Sequence, residues 1–483
     1  MRDTGEVSAS KAGAGAVGAG SQQRRVARPP GPGGPATLRA LLGGVPATDL
    51  FADVARRYPR LAHTRLGREH LYFVNHPALV RQLFVTQGRW TMKGRALQRS
   101  KQLLGEGLLT SEGEMWRRQR RLVQPAFHGG AVARYAEEML RCTDELVARR
   151  WRDGVQVAVN EEMSALTLSI VGRSLFGTDL SQDAPQVSAA LATMVSQFQR
   201  RVLPGSELLD LLPLPSNRRG LRAVQSLDRL VVRIVQEHRV ARPGQDAGRG
   251  DLLSELIATG MDDRQLRDEI MTLLLAGHET TANALTWSWV LLSGDPAVRD
   301  RLHTEVDATL PTPGADPAAV QTAPHADRYT DLYTALPWTR AVVAESLRLY
   351  PPAWSLGRRV VADVILDGWT VPAGSLAVAS QWVLHRDPRF WTDPGTFRPD
   401  RWLDGDGRFD EGAPGQPRGS WFPFGLGQRV CVGEPFAWME AVLVLAWLSR
   451  RWHVEVSATF VPRVEPAVTL RPHDPVRAVL RRR

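Results

Sequence analysis

One cysteine in this chain stands where a thiolate could be made and used. Cys431 lies in Phe424-Gly425-Leu426-Gly427-Gln428-Arg429-Val430-Cys431-Val432-Gly433-Glu434-Pro435, just ahead of an apolar helical pattern that starts at Phe436. Free amide N–H groups and the positive end of a helix dipole both favour a charged sulfur, and a thiolate is what binds iron. Glycines at 425, 427 and 433 let the backbone turn tightly and approach a flat partner, and Arg429 comes two residues before the thiol. The competing reading is a small buried thiol in a loop. Cys142 lies in an ordinary amphipathic stretch, Met139 to Leu146, without ligand-like neighbours, and is assigned no chemistry.

Three further constellations accompany the cysteine. Ala276-Gly277-His278-Glu279-Thr280-Thr281 interrupts an otherwise apolar helical pattern from Asp262 to Ser293, about nine turns long. Thr280 can reach the carbonyl oxygen of Ala276 four residues back, loosening the helix and opening a notch for water beside Gly277, while Glu279 can pass protons. His278 has Leu274 and Ala282 at the spacings where a metal-ligand partner would stand, so no ligand role is expected for it. Glu345 and Arg348 share one helix face amid apolar neighbours; if buried they need further donors, and Arg401 is the candidate. Trp116 and Arg120 are one helical turn apart and can grip one anionic, partly aromatic ligand, although a solvated basic face is the default reading of this motif alone.

The elements that must position these groups follow from the rest of the 483 residues. No composition break divides the middle of the chain, so a single domain is expected over 35–483. It follows a Gly/Ala/Arg/Pro-rich arm, 1–34, whose composition offers too little apolar surface to order itself. Two cysteines argue against a disulfide framework, the arm lacks a signal-like apolar stretch, and no apolar run reaches the ~18 residues of a membrane span. A cytoplasmic protein is expected. The net charge of +10 comes without a helix-turn-helix, zinc spacing or aromatic RNA-binding signature, which points away from nucleic acid and towards an acidic protein partner.

Two strands are expected at Leu61 to Leu66 and His70 to Val74, then helix from Pro77 onward, with Gly88 to Glu112 as a long surface loop. Pro204-Gly205 and Pro213 to Pro215 break a helical pair into a possible lid, and Pro243 to Gly250 reads as an exposed linker. Pro351-Pro352 ends the helix carrying Glu345, and strands are expected around Val360 to Leu366 and Ser375 to Ala379.

Taken together these motifs resemble the cytochrome P450 superfamily of haem-thiolate monooxygenases, in order and spacing, over roughly residues 35–483. Phe424-x-x-Gly427-x-Arg429-x-Cys431-x-Gly433 is similar to the family's cysteine-ligand signature, and Ala276 to Thr281 to its oxygen-activation motif. Glu345-x-x-Arg348 with Arg401 is similar to its structural triad, and Trp116-x-x-x-Arg120 to its haem-propionate motif.

The resemblance implies a mainly α fold with smaller β-sheets (α+β), holding haem b between the long central helix and the cysteine-loop helix. Cys431 would be the proximal iron ligand, and Ala276, Gly277, Glu279 and Thr280 would form the proton path to O2. Trp116, Arg120, Arg358 and Arg429 would hold the haem propionates, with Phe424, Gly427 and Gly433 shaping the loop. Thr272, Leu273, Ala276, Ala353, Trp354 and Val468 would line an apolar pocket, which suits a terpenoid, steroid, fatty acid or polyketide, a terpenoid or other secondary metabolite being preferred.

The chain shows no fused reductase, so electrons are expected from an acidic ferredoxin or flavodoxin docking on Arg117, Arg118 and Arg121, and the protein is expected to be a monomer. A peroxide-driven haem peroxygenase and a non-catalytic haem ligand-binding protein are the alternatives; the Glu279-Thr280 pair counts against the first.

Overall fold

The computed structural model describes residues 27–202, 212, 214–240, 251–311, 325–412 and 415–483. Residues 1–26 of the expected arm, most of the break at 203–213 and the expected linker at 243–250 lie outside them. The folded part begins before Gly34: the His63 N–H donates to Pro30 O at 3.1 Å, and a Cβ on Gly31 would meet His63 O at 1.9 Å, so the chain from Arg28 lies against the first strand.

Helices α1 (Gly34–Leu42) and α2 (Ala47–Arg57) lead into strands β1 (Leu61–Leu66) and β2 (Glu69–Val74). They pair antiparallel about the turn at Gly67, whose φ of +61° suits glycine. The stretch from Gly88 to Glu112 is not the long loop its composition suggests. It holds β3 (Thr91–Lys93) and α3 (Arg95–Leu104), and its one chain reversal is anchored by the long helix. There Asp268 accepts from the Glu106 N–H at 2.7 Å and Glu269 from the Leu108 N–H at 3.0 Å. Gly105 at φ +72° would place a Cβ 2.0 Å from the Asp268 carboxylate, so this turn requires glycine.

After α4 (Gly113–Val123) come α5 (Gly129–Arg150) and α6 (Val159–Phe176), which pack together and, through α6, against the central α7 (Asp263–Gly294). Asp262 caps α7 by accepting from the Gln265 N–H at 2.8 Å. Most of α7 is buried, and its buried residues include Asp268, Glu269, His278 and Asn283 beside the apolar ones.

Helix α8 (Pro337–Leu349) precedes β4 (Leu356–Val360) and β5 (Leu376–Ala379). These complete a five-stranded sheet in the order β1-β2-β5-β4-β3, with only the β2–β5 pair parallel. The strand expected over Val360 to Leu366 is two elements. Beyond Val360 the chain bends through exposed Val361, and Val364–Leu366 pairs with Trp369–Val371 as a separate hairpin. Helix α9 (Glu434–Ser449) starts two residues ahead of Phe436 because Pro435 is tolerated in a first helical turn, where its missing N–H has no partner to lose. A two-stranded hairpin, β6 (Val464–Pro466) and β7 (Leu470–Pro472), lies near the C-terminus.

The fold is mainly α with small sheets. No helix among the described residues is long and apolar enough to cross a membrane.

Candidate haem-binding and catalytic site

The cysteine loop is built on a buried charge network. Glu345 and Arg348 side chains have no solvent exposure; Arg348 Nη2 and Nε donate to Glu345 at 2.7 and 2.8 Å, and Arg401 Nε donates at 3.1 Å. A buried ion pair is tolerated only when its remaining donors and acceptors are satisfied. Here the Trp402 indole N–H and the Arg398 N–H, both at 2.9 Å, complete the carboxylate. Arg348 spends its other donors on the carbonyls of His385, Pro394 and Thr396. The network thereby clamps α8 to residues 385–402. From there His385 Nε2 accepts the Phe422 N–H at 3.1 Å, and Phe424 O accepts the Cys431 N–H at 2.9 Å. Burial and the nearby Arg348 hold His385 neutral, which leaves Nε2 free to accept.

Within the loop, Gly425 and Gly427 take φ of +82° and +73°, and a Cβ on Gly427 would stand 2.3 Å from Phe84 O. Gly433 is ordinary in φ, and an added Cβ there would make only van der Waals contact, 3.9 Å from Cys431 Sγ. Phe424 is half-buried beside Trp438.

Cys431 is exposed to solvent at its surface, although protein atoms crowd around it. The expectation of a ready thiolate does not hold for the protein alone. Burial pushes the thiol up to about 11, outweighing the Gly433 and Glu434 N–H groups and Arg120, which pull it down. A further positive partner beside the sulfur, such as a metal ion, would lower it.

Both residues of the α4 motif reach this loop. Arg120 Nη1 donates to Val430 O at 2.7 Å, and the Arg429 guanidinium lies 4.6 Å from the Trp116 ring centroid. Around them the charges do not balance. Arg358 is buried, and among the described residues its guanidinium bonds only the neighbouring Gly357 O, at 3.2 Å, while stacking on Phe84. Burial first, and then Arg429, lowers it to about 10. Buried Lys93 donates to the carbonyls of Leu108 and Ser111, both at 2.7 Å, and is pulled down to about 7 by burial. Glu112 bonds Arg429 and accepts the Lys93 N–H at 2.6 Å, yet Arg429 Nη1 is buried without a partner among the described residues. Three enclosed cations around one carboxylate, with one orphaned donor, fit a ligand that carries its own carboxylates, as haem does.

On α7, Thr280 Oγ1 donates to Ala276 O at 2.8 Å, and Thr281 Oγ1 to Gly277 O at 3.2 Å, as the sequence notch requires. Ala276 is exposed near the middle of α7, with Leu275, Gly277, Glu279 and Thr280 half-buried around it. His278 is buried, with Nδ1 on Leu274 O at 3.0 Å and burial keeping it neutral. Glu279 accepts a hydrogen bond from Thr469 Oγ1 at 2.7 Å.

Of the expected pocket residues, Leu273 is buried and Thr272 packs beneath Gly107, where a Cβ would come within 2.2 Å of its hydroxyl. Ala353 is half-buried, and Trp354 is buried against Phe51 with its indole N–H on Ala467 O at 2.9 Å. Val468 is exposed beside Thr469. Residues missed from the sequence are Lys93, Glu112, His385, Trp402 and Thr469, because each owes its place to a partner far along the chain; only Trp402, next to Arg401, had a local signal.

A family model for Cytochrome P450 matches residues 29–477. Cyclooctatin synthase of Streptomyces melanosporofaciens is 39% identical over 423 residues, covering 85% of this chain and 87% of that protein. Cyclooctat-9-en-7-ol 5-monooxygenase of the same organism is 35% identical, covering 82% of each chain. The crystal structure of the cytochrome P450DA heme domain aligns with a TM-score of 0.76 at 26% identity, covering 95% of this chain and 98% of that one.

Proposed function

The chain belongs to the cytochrome P450 family and is a P450 monooxygenase acting with O2 on a lipophilic substrate; from that premise we propose that the substrate is a terpenoid and that the proton path runs through Glu279 and Thr280. The observation that carries the proton path is the Thr280 to Ala276 bond of 2.8 Å at an exposed alanine near the middle of α7. The hydroxyl hydrogen is committed to Ala276 O, so the oxygen can only accept. It orders a water whose own hydrogens remain deliverable, and Glu279 on the same helix replenishes them. The substrate class is supported by the relatives named for making cyclooctatin and for oxygenating cyclooctat-9-en-7-ol.

Haem b, held by the Cys431 thiolate, would supply the O2 activation. Arg358, Arg429, Trp116 and Arg120 would hold its propionate side, with Lys93 joining them through its enclosed ammonium. The Glu345, Arg348 and Arg401 network serves the fold of the cysteine loop rather than the reaction. Thr272, Leu273, Ala276, Ala353, Trp354 and Val468 form the substrate wall. Exposed Arg117, Arg118 and Arg121 on α4 suit docking of an acidic ferredoxin or flavodoxin to a cytoplasmic, monomeric enzyme whose single catalytic domain begins near Arg28.

A spectral-shift titration of the ferric protein against cyclic terpenoid alkenes and alcohols, steroids and fatty acids tests the substrate. A response to steroids or fatty acids with none to terpenoids overturns it. Thr280→Ala tests the proton path: product formed per reducing equivalent should fall, and an unchanged yield refutes the role.

A further inference from the structure

The tip of the β6–β7 hairpin is tied down at three points. Ala467 O accepts the Trp354 indole N–H at 2.9 Å, and the Leu470 N–H donates to Pro352 O at 2.9 Å. The third tie is Thr469, buried, whose Oγ1 donates to Glu279 Oε1 at 2.7 Å and accepts from Asn283 Nδ2 at 3.3 Å. A hydroxyl has one hydrogen to give, and an ionised carboxylate can only accept, so the chain runs one way from Asn283 through Thr469 to Glu279. Glu279 Oε2 makes no hydrogen bond among the described residues, which leaves that oxygen for water. Val468, exposed, is the residue between the Trp354 tie and the Thr469 tie.

We propose that Thr469 is a positioning residue that holds the Glu279 carboxylate to the hairpin tip, so that substrate contact at Val468 and proton supply at Glu279 act as one unit. The inference rests on the proton-carrying role given to Glu279 above. A rigid tip with two backbone-directed anchors fixes where Thr469 stands, and a hydrogen bond to an ionised group is about twice as strong as a neutral one. Pressure on Val468 passes through one peptide unit to the 2.7 Å bond. A well-fitting substrate keeps the carboxylate aimed, and a poorly fitting one releases it.

The test uses the haem-loaded enzyme and the variants Thr469→Val, Thr469→Ser and Glu279→Ala. Amide hydrogen exchange across 464–472 reads the tie without reference to turnover. Thr469→Val and Glu279→Ala should each speed exchange at the tip by about tenfold, the size of a lost charge-assisted bond, with α8 unchanged as a control on folding. Thr469→Ser should restore wild-type exchange. Product per reducing equivalent should fall at least twofold, by expectation, in Thr469→Val and recover in Thr469→Ser. Unchanged exchange in Thr469→Val, or no recovery with serine, overturns the tie. Faster exchange with unchanged product yield overturns the coupling to proton supply. If Glu279→Ala itself leaves product yield unchanged, the proton-carrying role fails instead.

Discussion

Replacing Glu345 by glutamine tests whether the cysteine loop hangs on the buried charge network. The carboxylate accepts five hydrogen bonds, from Arg348 Nε and Nη2, Arg401 Nε, the Trp402 indole and the Arg398 N–H, at 2.7 to 3.1 Å. Glutamine is nearly isosteric, but it turns one acceptor into a donor facing these donors and removes the only negative charge between two guanidinium groups. Breaking a buried pair by removing one partner costs about 3–5 kcal/mol, against a total stability of about 5–15 kcal/mol. At a urea slope of about 3 kcal/mol/M the unfolding midpoint should fall by about 1–2 M. Haem occupancy, read from the reduced carbon monoxide complex, should fall with it, because Arg348 clamps the segment that carries His385 and hence Phe422.

Arg401→Gln should cost less, about 1–3 kcal/mol, since Glu345 keeps both Arg348 bonds. The double variant Glu345→Leu/Arg348→Met removes both charges together. It should be less destabilised than the sum of its single variants, as the desolvation argument demands. A midpoint for Glu345→Gln within about 0.3 M of wild type, or strict additivity in the double variant, would refute the reasoning.

Other outcomes follow from single positions. Burial raises Glu269 to about 7, above its unfolded value of about 4.5, so the folded state binds the extra proton and stability falls as pH rises from 4.5 to 7. Glu269→Gln, which keeps the acceptor for the Leu108 N–H, should lose that slope and gain on wild type by an amount on the order of 3 kcal/mol across the window, measured by denaturation at each pH. Gly105→Ala forces a Cβ to within 2.0 Å of Asp268 at a φ of +72°; its melting temperature should drop well beyond the effect of Gly33→Ala, where a Cβ meets nothing. Arg358→Leu should speed haem loss to an apoprotein acceptor by about 10–100-fold, the worth of one charge-assisted bond of about 1.5–3 kcal/mol, and an unchanged rate would remove it from the propionate side.

How much of the site could be read from the sequence depends on how far apart its partners lie. Glu345 and Arg348 are three residues apart on a helix flanked by apolar positions, so their pairing was legible, and Arg401 could be named as the candidate third member should the pair be buried, which the packed structure shows it is. Thr280 and Ala276 are one turn apart, and the same helical spacing gave their bond. Lys93 gave no such sign. Its enclosure comes from Leu108 and Ser111, and its charged neighbours from residues 358 and 429. The helix Arg95–Leu104 was hidden because it is short and mostly polar; what fixes its end is a pair of carboxylates from residues 268 and 269, more than 150 positions away.

Cys431 shows the division most sharply. The sequence by itself determined that a thiol stands at a helix N-terminus in a glycine turn with an arginine beside it, because backbone geometry and helix polarity are local properties. Only the tertiary structure decided the balance of its energetics. Desolvation depends on every element that packs around the sulfur, and here it outweighs the helix end and lifts the thiol to about 11. The same holds for the excess of enclosed cations at Lys93, Arg358 and Arg429 and for the tie from Thr469 to Glu279. Charges and hydrogen bonds between distant residues acquire their strength from burial, and burial is a property of the packed chain.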